Sequence, residues 1–275
     1  MILGVRAHDF GKLTVEELAD KISEKGLTHI QLALSKAVAG FSTDVGFLSP
    51  GLACHIRETF YRKNIQIAIL GCYINPIHPD ETERKKHISR FKEHLRYARE
   101  FGCSIVATET GHVAPDNPEE KEKAFQLLVH TVRELVEEAE KFGVLVGIEG
   151  GDRDTISSPQ WMKRLLDAIP SNNLQVVFDP LNFVPEENCE KQDDMIKESF
   201  ALFSDRIAAI HAKDFIMSDG KKKVIDSIGE GLLNYELLLS MIKTKKPYIT
   251  VSMEGTRPET MDGSIRFLQG LYQKV

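Results

Sequence analysis

The chain has 275 residues, 42% of them hydrophobic and 28% charged, ordinary globular usage that excludes a disordered or fibrous polypeptide. Lys and Arg number 35 against 41 Asp and Glu, a net charge of −6 at pH 7. That sign is wrong for a protein living on phosphate contacts, so neither nucleic acid nor an anionic membrane is expected as a partner. No stretch approaches the ~20 apolar residues of a spanning helix. The opening MILGVRAHDF lacks the basic and apolar regions of a signal peptide. Cys54, Cys72, Cys103 and Cys189 form no CxxC pair. They read as buried thiols in a reducing compartment, and a cytoplasmic location is expected.

In chain order, short apolar runs alternate with longer amphipathic ones. Residues 2–6 predict a strand, 14–25 a helix, 29–34 a strand and 50–63 a helix. The same pair recurs at 66–72 and 80–101, at 104–108 and 118–142, and at 144–149 and 159–168. Three more pairs follow, at 174–179 and 190–203, at 207–211 and 234–243, and at 248–254 and 259–272. Thr14 before Glu16 and Glu17, Asn117 before Pro118, and Ser158 before Pro159 are helix starts. Gly26, Gly102 and Gly143 are helix stops. Eight strand–helix units without a linker predict an α/β chain forming a single (β/α)8 TIM barrel over residues 1–275. The longest irregular stretches, 35–49, 180–189 and 214–233, are βα loops, on the face where such barrels carry their chemistry.

Four consecutive strands finish on a side chain that a divalent cation would choose. They read GIEG at Glu149, VFDP at Asp179, AIHAKD at His211 and SMEG at Glu254, spaced by 30, 32 and 43 residues. Parallel strands stand ~4.8 Å apart, so residues at equal height on neighbouring strands can meet at the barrel mouth. Three carboxylates and one imidazole suit Mn2+, Mg2+, Co2+ or Zn2+, with positions open for substrate oxygens. Acids also end barrel strands as helix caps and ion pairs; four in succession favour the cation.

Strands five to eight, with these residues, resemble the xylose isomerase-like superfamily of TIM barrels, which holds sugar isomerases and epimerases, inosose dehydratases and endonuclease IV. The segment IHAKD, followed by the glycines of IGEG at Gly229 and Gly231, is similar to the stretch where those families place a metal-binding histidine before a glycine-rich turn. The resemblance implies one divalent metal held by Glu149, Asp179, His211 and Glu254, with Glu149 and Glu254 as the acid/base pair. It implies a small sugar, sugar phosphate or related polyhydroxy carbonyl substrate, isomerised or epimerised through an enediolate. A homodimer or homotetramer is the expected assembly. An inosose-type dehydratase on the same ligands and a non-catalytic metabolite-binding barrel remain open alternatives.

Two departures narrow this reading. Many relatives carry DxxH where this chain has Asp179-Pro180-Leu181-Asn182; Asn182 can bond a sugar hydroxyl but is a poor metal ligand. The Asp-x-His pair of a three-metal nuclease is replaced by Asp226-Ser227-Ile228, which speaks against endonuclease activity. Lys213 and Arg257 are candidates to grip a substrate anion or steady an enediolate. Near the ends of the first four strands, Arg6, His8, Gln31, Asn75 and Glu109 can line the pocket. His8, Asn75 and Glu109 join Asn182, Lys213 and Arg257 as candidate substrate contacts. The Gly229-Glu230-Gly231 turn offers amides to an anion, although such glycines often serve only the turn. Lys221–Lys223 reads as a solvated loop tip.

Overall fold

The computed structural model describes residues 1–112, 117–184 and 186–275. Its strands are β1 (Ile2–Arg6), β2 (His29–Leu32), β3 (Gln66–Gly71), β4 (Ile105–Glu109), β5 (Leu145–Glu149), β6 (Leu174–Phe178), β7 (Ile207–Ala212), β8 (Asp214–Ser218), β9 (Lys221–Ile225) and β10 (Thr250–Met253). Its helices are α1 (Val15–Glu24), α2 (Leu34–Ala37), α3 (Pro50–Tyr61), α4 (Glu81–Tyr97), α5 (Pro118–Phe142), α6 (Pro159–Ala168), α7 (Pro180–Phe183), α8 (Gln192–Phe203), α9 (Tyr235–Lys245) and α10 (Pro258–Lys274). Eight parallel strands close in the order β1-β10-β7-β6-β5-β4-β3-β2, the (β/α)8 barrel that the alternating pattern predicts.

Local chemistry sets the boundaries. Thr14 and Glu17 form a reciprocal capping box, Thr14 Oγ1 accepting the Glu17 N–H at 3.2 Å and Glu17 Oε2 the Thr14 N–H at 3.0 Å. Asn117 and Ser158 cap α5 and α6 through their side chains. Gly143 ends α5 with φ 62°, a left-handed conformation in which a β-carbon is costly.

Two apolar layers result. The larger lies between sheet and helices. The smaller, Ile69, Ile105, Ala107, Val177 and Ala209, fills the barrel lumen beneath the mouth.

The three long loops carry structure that strand and helix periodicity did not reveal. Residues 35–49 open within α2, and 180–189 begin with α7; residue 185 lies outside the described residues. The third loop folds as the antiparallel hairpin β8–β9, turning through Asp219 (φ 52°) and Gly220 (φ 73°). This Asp-Gly turn suits the twist of a two-residue hairpin, a cue hidden beside the run of lysines. Lys221–Lys223 is therefore strand, and Lys222 is anchored, its Nζ lying 3.1 Å from Asp152 Oδ2 and 2.6 Å from the Val184 carbonyl.

A pH effect on stability arises in α4. His94 is buried, its Nδ1 2.8 Å from the Arg90 carbonyl, and burial lowers its pKa to about 4. The neutral ring's full contribution is present above the unfolded value near 6.5 and is lost as pH falls toward 4, by up to about 3 kcal/mol. Urea titrations across this window should show the loss, and His94→Gln should flatten it.

Candidate active site

Alternation along a strand places residues i and i+2 on one face. Gly147, Val177, Ala209 and Ser252 thus share a face with Glu149, Asp179, His211 and Glu254, which stand one layer higher at the carboxyl mouth. Small side chains below make room for them. A β-carbon on Gly147 would meet Val177 at 3.0 Å and Ile105 at 3.1 Å. The four polar side chains are buried, and one N or O atom from each lies within 4.8 Å of the others. Their strands β5, β6, β7 and β10 are neighbours around the barrel.

Further contacts aim these atoms. His211 Nε2 meets the amide oxygen of Gln31, which can only accept, so that nitrogen carries the hydrogen. Gln31 in turn donates to the Tyr73 hydroxyl at 2.7 Å. His211 Nδ1 is thereby turned to Glu149 Oε1 at 3.1 Å and Glu254 Oε2 at 2.9 Å. One oxygen of each acid is tied down. Asp179 Oδ1 accepts the Leu181 N–H at 2.9 Å, capping α7. Glu149 Oε1 accepts from Asn182 Nδ2 at 2.9 Å. Glu254 Oε1 meets Arg6 Nη1 at 2.6 Å and Lys213 Nζ at 2.7 Å, with Arg6 itself held by Asp9. Asp179 Oδ2 and Glu254 Oε2 are buried, the former meeting Lys213 Nζ at 2.8 Å and the latter His211 Nδ1 at 2.9 Å.

Burial works against charge on His211, yet Glu149 and Glu254 outweigh it and raise the imidazole to about 10. Burial also opposes ionisation of Glu254, and His211, Lys213 and Arg6 overcome it, holding that carboxyl well below its usual range. At Asp179 burial prevails over Lys213 and the pKa rises. Burial would lower Lys213, but Asp179, Glu254 and Glu149 keep it well above its ordinary value. The layer strongly favours positive charge at its centre. Three carboxylates and an imidazole around one point fit a divalent cation.

Beside this layer opens a cavity of about 270 Å3, lined by Glu149, Asn182 and Lys213, by Glu109, His112 and Asp154, and by Gly151, Asp152 and Arg153. Of the candidate substrate contacts, Asn182, Lys213 and Glu109 are here; burial, then the Glu149 charge, raises the Glu109 pKa. His8 follows β1 in the turn Ala7–Phe10, its Nδ1 buried and without a hydrogen bond. Burial and then Arg6 lower it to about 3. Asn75 and Arg257 are not brought to the cavity. The Asn75 side-chain oxygen accepts the Ile77 N–H at 3.2 Å, and exposed Arg257 pairs with Asp226 at 2.8 Å. The Gly229–Gly231 turn does hold an anion, and it is the carboxylate of Asp214.

Arg6 and Gln31 sit at strand ends with inward parity, a signal visible in the sequence, but their bonds to Glu254 and His211 are not. His112 and Asp154 escaped attention because they lie on βα loops, where no periodicity assigns a facing.

A search among curated proteins finds no match. Structures with the same fold include a D-tagatose 3-epimerase-like protein, 20% identical, covering 100% of this chain and 98% of that one with a TM-score of 0.79. The IolI protein with a bound zinc atom is 18% identical, with coverages of 100% and 96% and a TM-score of 0.70. AsbF of Bacillus anthracis, described as a probable 3-DHS dehydratase involved in petrobactin synthesis, is 14% identical, with coverages of 98% and 99% and a TM-score of 0.74. No helix among the described residues is long and apolar enough to cross a membrane. The family model matches residues 19–271, and the chain belongs to the xylose isomerase-like TIM barrel family.

Proposed function

We propose that the chain is a divalent-metal-dependent isomerase or epimerase of a small polyhydroxy carbonyl compound, with Glu149 and Glu254 as its acid/base pair. The observation carrying this reading is the convergence of Glu149, Asp179, His211 and Glu254 within 4.8 Å beside a small polar cavity. These four side chains would hold the ion. When bound, it would polarise a substrate carbonyl and the adjacent hydroxyl, acidifying the C–H bond between them.

Glu149 and Glu254 face the same His211 nitrogen and so flank one locus. One carboxylate takes the proton from carbon, and either the other returns one to the opposite face or the first returns it to the neighbouring carbon. Return to the opposite face of that carbon inverts it, whereas return to its neighbour interconverts aldose and ketose. Lys213, buried and lining the cavity, brings a fixed positive charge to the oxygen on which negative charge grows. Asn182 holds Glu149 in place from the cavity wall.

The test is to remove metals with a chelator, restore Mn2+, and follow deuterium from D2O into ketoses, keto-acids and inososes by NMR. Metal-dependent exchange is expected, with a rise in unfolding temperature as Mn2+ is added. An ultraviolet-absorbing enone product would move the reaction to dehydration. No exchange across the panel, with no Mn2+ stabilisation, refutes the reading.

A further inference from the structure

The cavity beside Glu149 is also lined by a second pair of ionisable groups that the proposed mechanism does not use. His112 Nδ1 lies 2.6 Å from Asp154 Oδ1. Asp154 is buried while His112 is exposed, and both line the cavity with Glu149, Glu109 and Lys213. The pairing is built into the backbone. His112 and Asp154 form an antiparallel bridge between the loops that follow β4 and β5. The Thr155 N–H donates to the Gly111 carbonyl at 2.9 Å, and the Ile156 N–H donates to Thr110 Oγ1 at 3.3 Å. With Nδ1 engaged by a carboxylate, Nε2 is the ring nitrogen left for another partner. This is how an acid orients an imidazole for proton transfer. A cavity of about 270 Å3 is small enough for one sugar-sized molecule to touch Glu149 and His112 together.

We propose that His112 is a further catalytic residue, moving protons between substrate oxygens, and that Asp154 is its positioning residue; the inference rests on the reading of the site given above. It assigns the reaction to aldose–ketose interconversion, since epimerisation at one carbon needs no net proton transfer between oxygens. The C–H bond beside the carbonyl breaks, its proton passing to Glu149 or Glu254 and its electron pair forming the C=C bond of an enediolate as the carbonyl π pair moves onto oxygen; this step alone permits exchange at carbon. In a separate, later step that oxygen takes a proton from Nε2 of protonated His112, giving the enediol. The neighbouring hydroxyl then gives its proton to Nε2 as its own C=O bond forms, and the carboxylate delivers its proton to the other carbon. Nothing is oxidised or reduced overall, and His112 and the carboxylate end as they began.

The experiment uses the full Mn2+-loaded chain in D2O with aldo and keto forms of tetroses, pentoses and hexoses, reading deuterium at carbon and net conversion separately by NMR. In His112→Gln, deuterium exchange should stay within a few-fold of the parent while conversion falls about 10²-fold. Asp154→Asn should shift the balance the same way, and Asp154→Glu should recover part of the conversion. His112 lies outside the ligand layer, so Mn2+ affinity should not change. Exchange and conversion falling together, or neither changing, overturns the proposal. So does a parent that only epimerises with His112→Gln unaffected, which leaves the proposed function intact. A parent that exchanges no substrate refutes that function and this inference with it.

Discussion

Glu149→Gln should lower metal-dependent turnover by about 10⁴-fold while the barrel stays folded. The substitution keeps the shape of the side chain, and its amide oxygen can still accept from Asn182 Nδ2, which now stands 2.9 Å from Glu149 Oε1. It removes a negative charge from the ligand layer and the basic oxygen beside the cavity. General acid–base catalysis alone is worth 10² to about 10⁴, and weaker metal binding adds to the loss. Deuterium exchange into substrate and Mn2+ titration read the two losses separately. Arg257→Ala is the matching control. Its guanidinium is exposed and pairs only with Asp226 among the described residues, so turnover should remain near that of the parent. A Glu149→Gln protein with parental turnover would remove this carboxylate from the mechanism.

Asp214→Ala should cost about 3–5 kcal/mol of stability, measured by urea denaturation. Asp214 is 1% exposed, and its carboxylate accepts the N–H groups of Phe215 at 2.9 Å, Gly229 at 2.8 Å, Gly231 at 3.0 Å and Leu233 at 3.1 Å. One side chain thus closes the excursion between β7 and α9 onto the barrel mouth, two residues after Lys213's neighbour Ala212. Alanine would leave these amides without their charged acceptor, and those of Phe215 and Leu233 are buried, where an unsatisfied donor is costly. The glycines belong to the same construction. Gly229 has φ 99°, and a β-carbon on Gly231 would collide with Asp214 Oδ1. Turnover should fall as well, because Lys213 precedes this anchor directly. Loss of less than about 1 kcal/mol would show that the loop finds other partners for its amides.

Much of the candidate site was legible because a strand is a ruler. Apolar runs ending in GIEG, VFDP, AIHAKD and SMEG locate Glu149, Asp179, His211 and Glu254 at one height without coordinates. Lys213 and Asn182 follow because they adjoin those strand ends. Strand-end position alone does not fix where Arg257 points. It stands three residues beyond Glu254, but the chain has already turned into α10 and its side chain reaches Asp226. Asn75 likewise spends its oxygen on a local turn. The glycine turn after β9 could serve the turn alone or present amides to an anion; its amides do bind a carboxylate, one from fifteen or more positions upstream, at Asp214.

By itself the sequence determined the eight strand–helix units, their caps and the four residues at the strand ends, since hydrophobic period and capping chemistry are local and repeat with the backbone. Only the tertiary structure decided which oxygen of each acid is tied down, that Arg6 and Gln31 steady Glu254 and His211, and that His112 meets Asp154 across two loops. Those contacts join residues up to 248 positions apart. Barrel closure sets them, and no periodicity along the chain encodes it.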